Sequence, residues 1–467
     1  MSPEVLADAV PWLEAAAAEV DDLPPPGVAV DVGRLLTRRG WSHSRDIRDS
    51  SHVFPPRLRS ALAAYEEYFL GRLMADRHFD AARDALDRLR TQEPRETATA
   101  IAVLLALVLE RLPRKETGGA SGPLLRRLAR RPAADVLNQG WQVLGSSEVH
   151  ADELAAAYEA LTQAARRSSR LIGGGEVLVL ENLAALRGAA PRLALRQIAD
   201  AADAVERPLP ARLVSRRQRG AVATRLDDES SYPIGGYSSI STTGPIESLV
   251  SSELVYLDRE AEIDPFQVRW AAGELLKYTR DESVFSRLQR RVTFFVSADL
   301  ERCRVKSPGL PWQRLVLVLG LLLAAVRRLH RWLDEVALDI RIVFGAGLHG
   351  RDPLAHEAEL CRLLLREWIE RGTVTVSRAA VQEFWALQAE EQSVPGAAEN
   401  DVVLFSSDPA ELLLEEIPPA VQPLSFAGPR PVLGLQTIDG EGEAAESRPV
   451  DISVWSKTLL ELLRILV

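Results

Sequence analysis

The side chains best suited to chemistry gather in one short stretch. After the apolar run 292–296 the chain reads SADLERCRVK, placing Ser297, Asp299, Glu301 and Cys303 at alternate positions among Arg302, Arg304 and Lys306. A second acidic residue, Asp408, follows the apolar run VVLFSS. Asp299, Glu301 and Asp408 could collect a hard divalent cation, which needs several oxygen ligands in near-octahedral array. Arg302, Arg304 and Lys306 oppose this, because positive charge in the same loop repels a cation. The other use of these carboxylates is loop hydrogen bonding and helix capping. Cys303 lies between two arginines that would tend to lower its pKa, but the sequence places no histidine to activate it.

Other signals are sparser. Gly173-Gly174-Gly175 lacks the Gly-Lys-Ser/Thr of a phosphate-binding loop and reads as a helix-breaking turn. His349 and His356 stand seven apart with Asp352 between them, more in keeping with solvated loop histidines than with half a metal site. The run 238–243 of Ser, Ile and Thr reads as a polar turn. No Cys/His cluster has zinc spacing, so no catalytic set, metal or cofactor is expected.

The 467-residue chain is long enough for two or three domains. Its 46% hydrophobic and 26% charged content is that of an ordinary folded protein. A net charge of −10 offers no global field for a phosphate backbone, so nucleic acid is not an expected partner. Two cysteines fit a reducing compartment. The apolar run Leu315–Val326 is too short to cross a bilayer, which takes about 20 residues. No membrane association and a cytoplasmic location are therefore expected.

Three regions must position these residues. The first, 1–215, carries apolar residues at helical spacing, interrupted at 24–27, 55–56, 118–119, 122–123 and 173–175. It reads as an all-helical domain of antiparallel helices, and Leu70–Pro94 is partly like a tetratricopeptide repeat. A junction, 216–284, begins with turn chemistry. It continues with helices expected from Pro245 and over Pro265–Arg280. From 285 to 467 strand and helix alternate. Strands are expected at 292–297, 339–344, 373–377, 402–406 and 431–436. Helices are expected at 311–335, 353–371, 379–391, 409–416 and 455–466. The fold class is α followed by α/β, a doubly wound parallel sheet whose ligands gather at the carboxyl ends of the strands.

The first of these strands, its polar loop and the long apolar helix after it resemble the start of a von Willebrand factor A (vWA) domain. In that family the loop reads Asp-x-Ser-x-Ser and holds Mg²⁺, helped by a later Thr and by an Asp after the fourth core strand. With the family Asp on Asp299, Glu301 and Cys303 stand at the serine positions; with it on Ser297, Asp299 and Glu301 do. Asp408 matches the late Asp. Both registers depart from the motif, which implies a degenerate metal site. Ser297, Asp299, Glu301, Arg302, Arg304 and Asp408 are then expected to form a partner-binding rim. Upstream, GGYSSISTTGPIESLVSSELVYLD (235–258) and the segment after it resemble the region before the A-type domain in bacterial proteins of MoxR-type ATPase operons. The likeness is to the ternary systems that add a β-propeller protein, and it runs from Tyr232 to Val467. It implies a non-catalytic adaptor whose partners are a MoxR-type AAA+ ATPase and a third system component. The competing expectations are a metal-dependent hydrolase using Asp299, Glu301 and Asp408, and a tetratricopeptide-like scaffold.

Overall fold

The computed structural model describes residues 3–20, 22–23, 25, 27–37, 54–92, 96–112, 120–211, 239–242, 249–257, 264–279, 290–333, 338–347, 352–393, 400–408, 421–434 and 450–467. It divides into two compact units, Met1–Ala201 and Ala202–Val467.

The first unit is helical. Its helices are α1 (Pro3–Glu19), α2 (Gly27–Thr37), α3 (Pro56–Tyr65), α4 (Arg77–Gln92), α5 (Thr97–Glu110), α6 (Gly122–Ala129), α7 (Ala133–Ser146), α8 (Glu148–Arg167), α9 (Gly174–Glu181) and α10 (Ala189–Glu206), the last running across the division. Several sequence breaks become helix starts: α2 begins at Gly27, α3 at Pro56, α6 at Gly122 and α9 at Gly174. Proline fits a first turn because its missing N–H would have no partner there. At α9 the Glu176 carboxylate reaches back to accept from the Gly173 amide at 2.8 Å, so the glycine triplet is a cap. Glu176 also meets Arg111, which bonds Asp200 at 2.6 Å, and this ion cluster satisfies a fully buried carboxylate. The stretch with repeat-like character forms a helical pair: a π-helical segment Glu66–Gly71 continues through Met74, turns, and is followed by α4 with Ala82 buried. A two-residue ladder joins β1 (Asp22–Leu23) to β2 (Ala120–Ser121).

The second unit is built on a six-stranded sheet. Before it, β3 (Ser239–Ser241) pairs antiparallel with β4 (Lys277–Thr279). Of the helix expected from Pro245, residues 245–248 lie outside the described residues, and the described part forms a 3₁₀ segment, Ser251–Tyr256. The helix expected over Pro265–Arg280 is corrected. The helix at Pro265 (α11) stops at Ala271, where Gly273 turns to φ +70° and leads the chain into β4. Asp264 caps α11 as expected, accepting from Phe266 N at 2.9 Å.

The main sheet comprises β5 (Arg290–Val296), β6 (Leu338–Gly345), β7 (Val374–Ala379), β8 (Asn400–Ser406), β9 (Val421–Ser425) and β10 (Val432–Leu433), ordered β10-β9-β8-β5-β6-β7. Every neighbouring pair is parallel except β9–β10. The strand missed by the sequence reading is β9, whose Pro423 and Gln422 disguise it. The expected strand at 431–436 is shortened to the antiparallel edge. β5 and β8 are buried on both faces, as their continuous apolar runs require. Helix α12 (Arg314–Trp332) carries Leu315–Val326 without one exposed residue. The helix expected over 353–371 is two, α13 (Ala355–Leu364) and α14 (Arg366–Glu370), broken at Leu365. α15 (Val381–Ser393) follows β7. α16 (Ile452–Leu466) buries Trp455, Leu459, Leu462 and Leu463. The helix expected at 409–416 lies outside the described residues, as does His349.

Candidate functional site

The sheet reverses direction of winding at β5. The chain proceeds from β5 outward to β6 and β7, then returns to place β8 on the other side. At such a switch point the loops from two adjacent strands part and open a crevice at the carboxyl edge. Those loops are 297–304 and 407–408. Gly345, at the end of β6, lets the first loop lie close: a Cβ there would meet Ala298 N at 3.2 Å.

Ser297 directly follows β5, and its amide extends the ladder by donating to Phe405 O at 2.8 Å. Its hydroxyl accepts from Asp299 N at 3.4 Å and starts a 3₁₀ turn, Ala298–Cys303. This turn aims the Asp299 carboxylate across the crevice at the end of β8. There Asp299 Oδ2 accepts from Ser406 Oγ (2.8 Å), Ser407 N (2.8 Å), Ser407 Oγ (2.6 Å) and Asp408 N (2.9 Å). Burial alone would raise the Asp299 pKa. The hydroxyls of Ser297, Ser407 and Ser406 and the Asp408 amide outweigh it and hold the carboxyl below the ordinary range. Oδ1 is buried and has no hydrogen-bond partner among the described residues.

The other rim residues group separately. Arg304 grips Glu357 through Nε and Nη2 at 3.1 and 3.0 Å, donates to Pro353 O, and reaches Glu301 at 3.3 Å. Nearby on the same edge Asp352 pairs with Arg378 at 2.6 Å. Glu301, Arg302 and Lys306 are exposed. Of the six residues singled out, Ser297, Asp299 and Asp408 share one cluster, Glu301 and Arg304 share another, and Arg302 stands apart. Sequence reasoning missed Ser406, Ser407 and Glu357. The two serines had a signal, standing at the end of an apolar strand opposite a strand-end Asp; Glu357 had none.

The reading of Cys303 is corrected. The thiol is fully buried, with Sγ 3.6 Å from Phe426 O. Burial pushes its pKa up, the Arg314 charge lowers it less, and the arginines flanking it in sequence do not activate it. His356 is exposed in the first turn of α13 and Asp352 pairs with Arg378, so neither joins a metal-sized cluster among the described residues.

A vWA domain implies a bound divalent cation, and the donors here do not fit one. Four donors already occupy Asp299 Oδ2, Glu301 turns to Arg304, and the third motif position is a buried thiol. Among the described residues no three of His, Cys, Asp and Glu converge on a metal-sized gap.

Residues 233–410 match the family model described as the vWA domain found in the FtsH ternary systems. No curated protein matches the chain, and no solved structure does. Among the described residues no helix is long and apolar enough to cross a membrane. The matched segment spans β3 to the end of β8 and contains both halves of the crevice, so the chain carries a vWA-like domain of the ternary-system type, joined to a helical N-terminal unit.

Proposed function

We propose that this chain is a non-catalytic adaptor that engages the AAA+ ATPase of a ternary system through the carboxyl edge of its vWA-like sheet. The observation that carries this reading is the coincidence of a ternary-system vWA match with a crevice whose central aspartate is held by the protein's own hydroxyls and amides. A carboxylate held in this way stiffens the joint between two loops and leaves exposed charges beside it, Arg302 and the Arg304-paired Glu301, at the surface where a partner can meet them. The sequence resemblance points to an ATPase of the MoxR type, whereas the matched family is described by FtsH. The ternary arrangement is common to both.

The test is co-purification of the tagged full-length chain from its own cells, read by mass spectrometry. Enrichment of an AAA+ ATPase, lost when Glu301 and Arg302 are both reversed in charge, is the expected result. Enrichment that survives the reversal would place the contact elsewhere, and absence of any ATPase would reject the adaptor reading.

The competing reading, a metal-dependent hydrolase, has one observation in its favour, the unpartnered Asp299 Oδ1. Isothermal titration with Mg²⁺ and Mn²⁺ separates the two. Micromolar binding that disappears in Asp299→Ala would favour the hydrolase, and no saturable heat is expected.

A further inference from the structure

At the carboxyl edge of the main sheet the carboxylates are already engaged. Asp299 accepts from the end of β8, Glu301 and Glu357 from Arg304, Asp352 meets Arg378, and Glu359 accepts from Arg362 and Arg378. Asp408 is not free either. Two cations of the loop after β5 differ from all of these. Arg302 and Lys306 are exposed, and their side chains form no hydrogen bond or ion pair with other described residues. Between them in sequence stands Val305, an aliphatic side chain left 49% exposed.

The loop that carries these side chains is firmly held. Leu300 and Cys303 are fully buried and anchor its 3₁₀ turn from below. The Arg304 amide donates to Glu301 O at 3.1 Å, the Arg314 amide at the start of α12 donates to Val305 O at 3.0 Å, and Lys306 bridges to Gln313. The backbone under Val305 and Lys306 is therefore tied to α12. A surface whose backbone is fixed beforehand loses little conformational entropy when a partner arrives.

Two unpaired cations beside an exposed aliphatic group complement two carboxylates beside an apolar one. The guanidinium fork takes a carboxylate through two parallel N–H bonds, and the ammonium takes one as a compact point charge. A basic segment would be repelled here, and like charges set against each other select against the wrong partner. We propose that the loop 302–306 receives an acidic segment of a partner protein, with carboxylates on Arg302 and Lys306 and an apolar residue on Val305. The proposal rests on the reading of this edge as the adaptor's contact and adds the chemistry of what it contacts.

Lys306 makes the contact directly testable. A carbodiimide joins an amine to a carboxylate only where the two already touch. Lys306 is one of four lysines in the chain, so its cross-links are readily assigned. The tagged chain is treated with carbodiimide in a lysate of its own cells, purified, and its cross-linked peptides are sequenced by mass spectrometry. The expected result is an amide between Lys306 Nζ and an aspartate or glutamate of the proposed AAA+ ATPase. Capture of that protein should fall at least about tenfold in Arg302→Glu/Lys306→Glu at an unchanged melting temperature. It should persist in Lys306→Arg, which keeps the charge but cannot form the amide. A Lys306 cross-link to an acidic segment of a different protein, lost in the same double variant, would uphold the proposal and reject the ATPase as partner. Equal capture by Arg302→Glu/Lys306→Glu, loss in Lys306→Arg, or an ATPase enriched without a Lys306 cross-link would overturn the proposal and leave the adaptor role in place. Neither a cross-link nor an enriched ATPase would overturn both.

Discussion

Asp299 carries the joint between two loops by accepting four hydrogen bonds on one oxygen, two of them from backbone amides. Asp299→Ala strands those amides in a largely buried crevice, and each buried donor left unpaired costs about 1–3 kcal/mol. The expected loss in chemical denaturation is about 2–4 kcal/mol. Asp299→Asn keeps an acceptor and should lose about half as much. A second residue governs pH behaviour. Asp31, buried in α2 and accepting from Tyr65 Oη at 3.3 Å, has its pKa pushed to about 7. Burial is the chief cause, and the Tyr65 hydroxyl and the Arg34 charge only partly offset it. The unfolded chain would release this proton near pH 4, as ordinary aspartates do. The folded state therefore binds more protons between about pH 4 and about 7. This group's stabilising contribution is full below pH 4, falls as pH rises, and is gone above about 7. Asp31→Asn should remove that slope, giving a melting temperature above wild type at pH 8 and a smaller difference at pH 5. At this scale the sequence was partly readable. Asp299 and Asp408 stood at strand ends and were found, but Ser406 and Ser407 looked like ordinary loop serines. The burial of Asp31 depends on Tyr65, thirty-four positions away.

Among the elements, α12 was the most legible, because an uncharged run of apolar residues longer than a helical turn has no solvent face to offer. All of Leu315–Val326 is buried, with Leu319 at 2% exposure. Leu319→Asp places an unpaired charge there, which costs several kcal/mol. The second unit should lose its cooperative melting transition, and a native-like melt would contradict the placement of α12. The parallel strands were legible for the same reason, since burial on both faces imposes apolar continuity. What resisted reading was decided by partners distant in sequence. The chain after Pro265 has a helical look, but pairing of Lys277–Thr279 with Ser239–Ser241 draws its end into a strand. β9 contains Pro423 and alternates weakly, and its place beside β8 is set by the sheet. The break at Leu365 has no proline or glycine to announce it.

For the whole molecule, composition and strand order pointed to a helical part and an α/β part, the resemblance made the second vWA-like, and the matched segment 233–410 falls in it. The proposed adaptor role rests on that segment's carboxyl edge. Its exposed charges differ in their suitability for a test. Arg304 is held by Glu357, Glu301 and Pro353 O, so reversing it would set a new carboxylate against two others and disturb the fold. Glu301 and Arg302 are exposed; Glu301→Lys gives up only the exposed 3.3 Å contact with Arg304, and surface changes of this kind usually move stability by about 0.5 kcal/mol or less. The decisive measurement is the affinity of Glu301→Lys/Arg302→Glu for the AAA+ ATPase proposed as its partner, beside wild type, with melting temperatures recorded for both. An affinity at least about tenfold weaker at an unchanged melting temperature is the predicted result. Wild-type affinity in the double variant would contradict the assignment of the sheet's carboxyl edge as the contact.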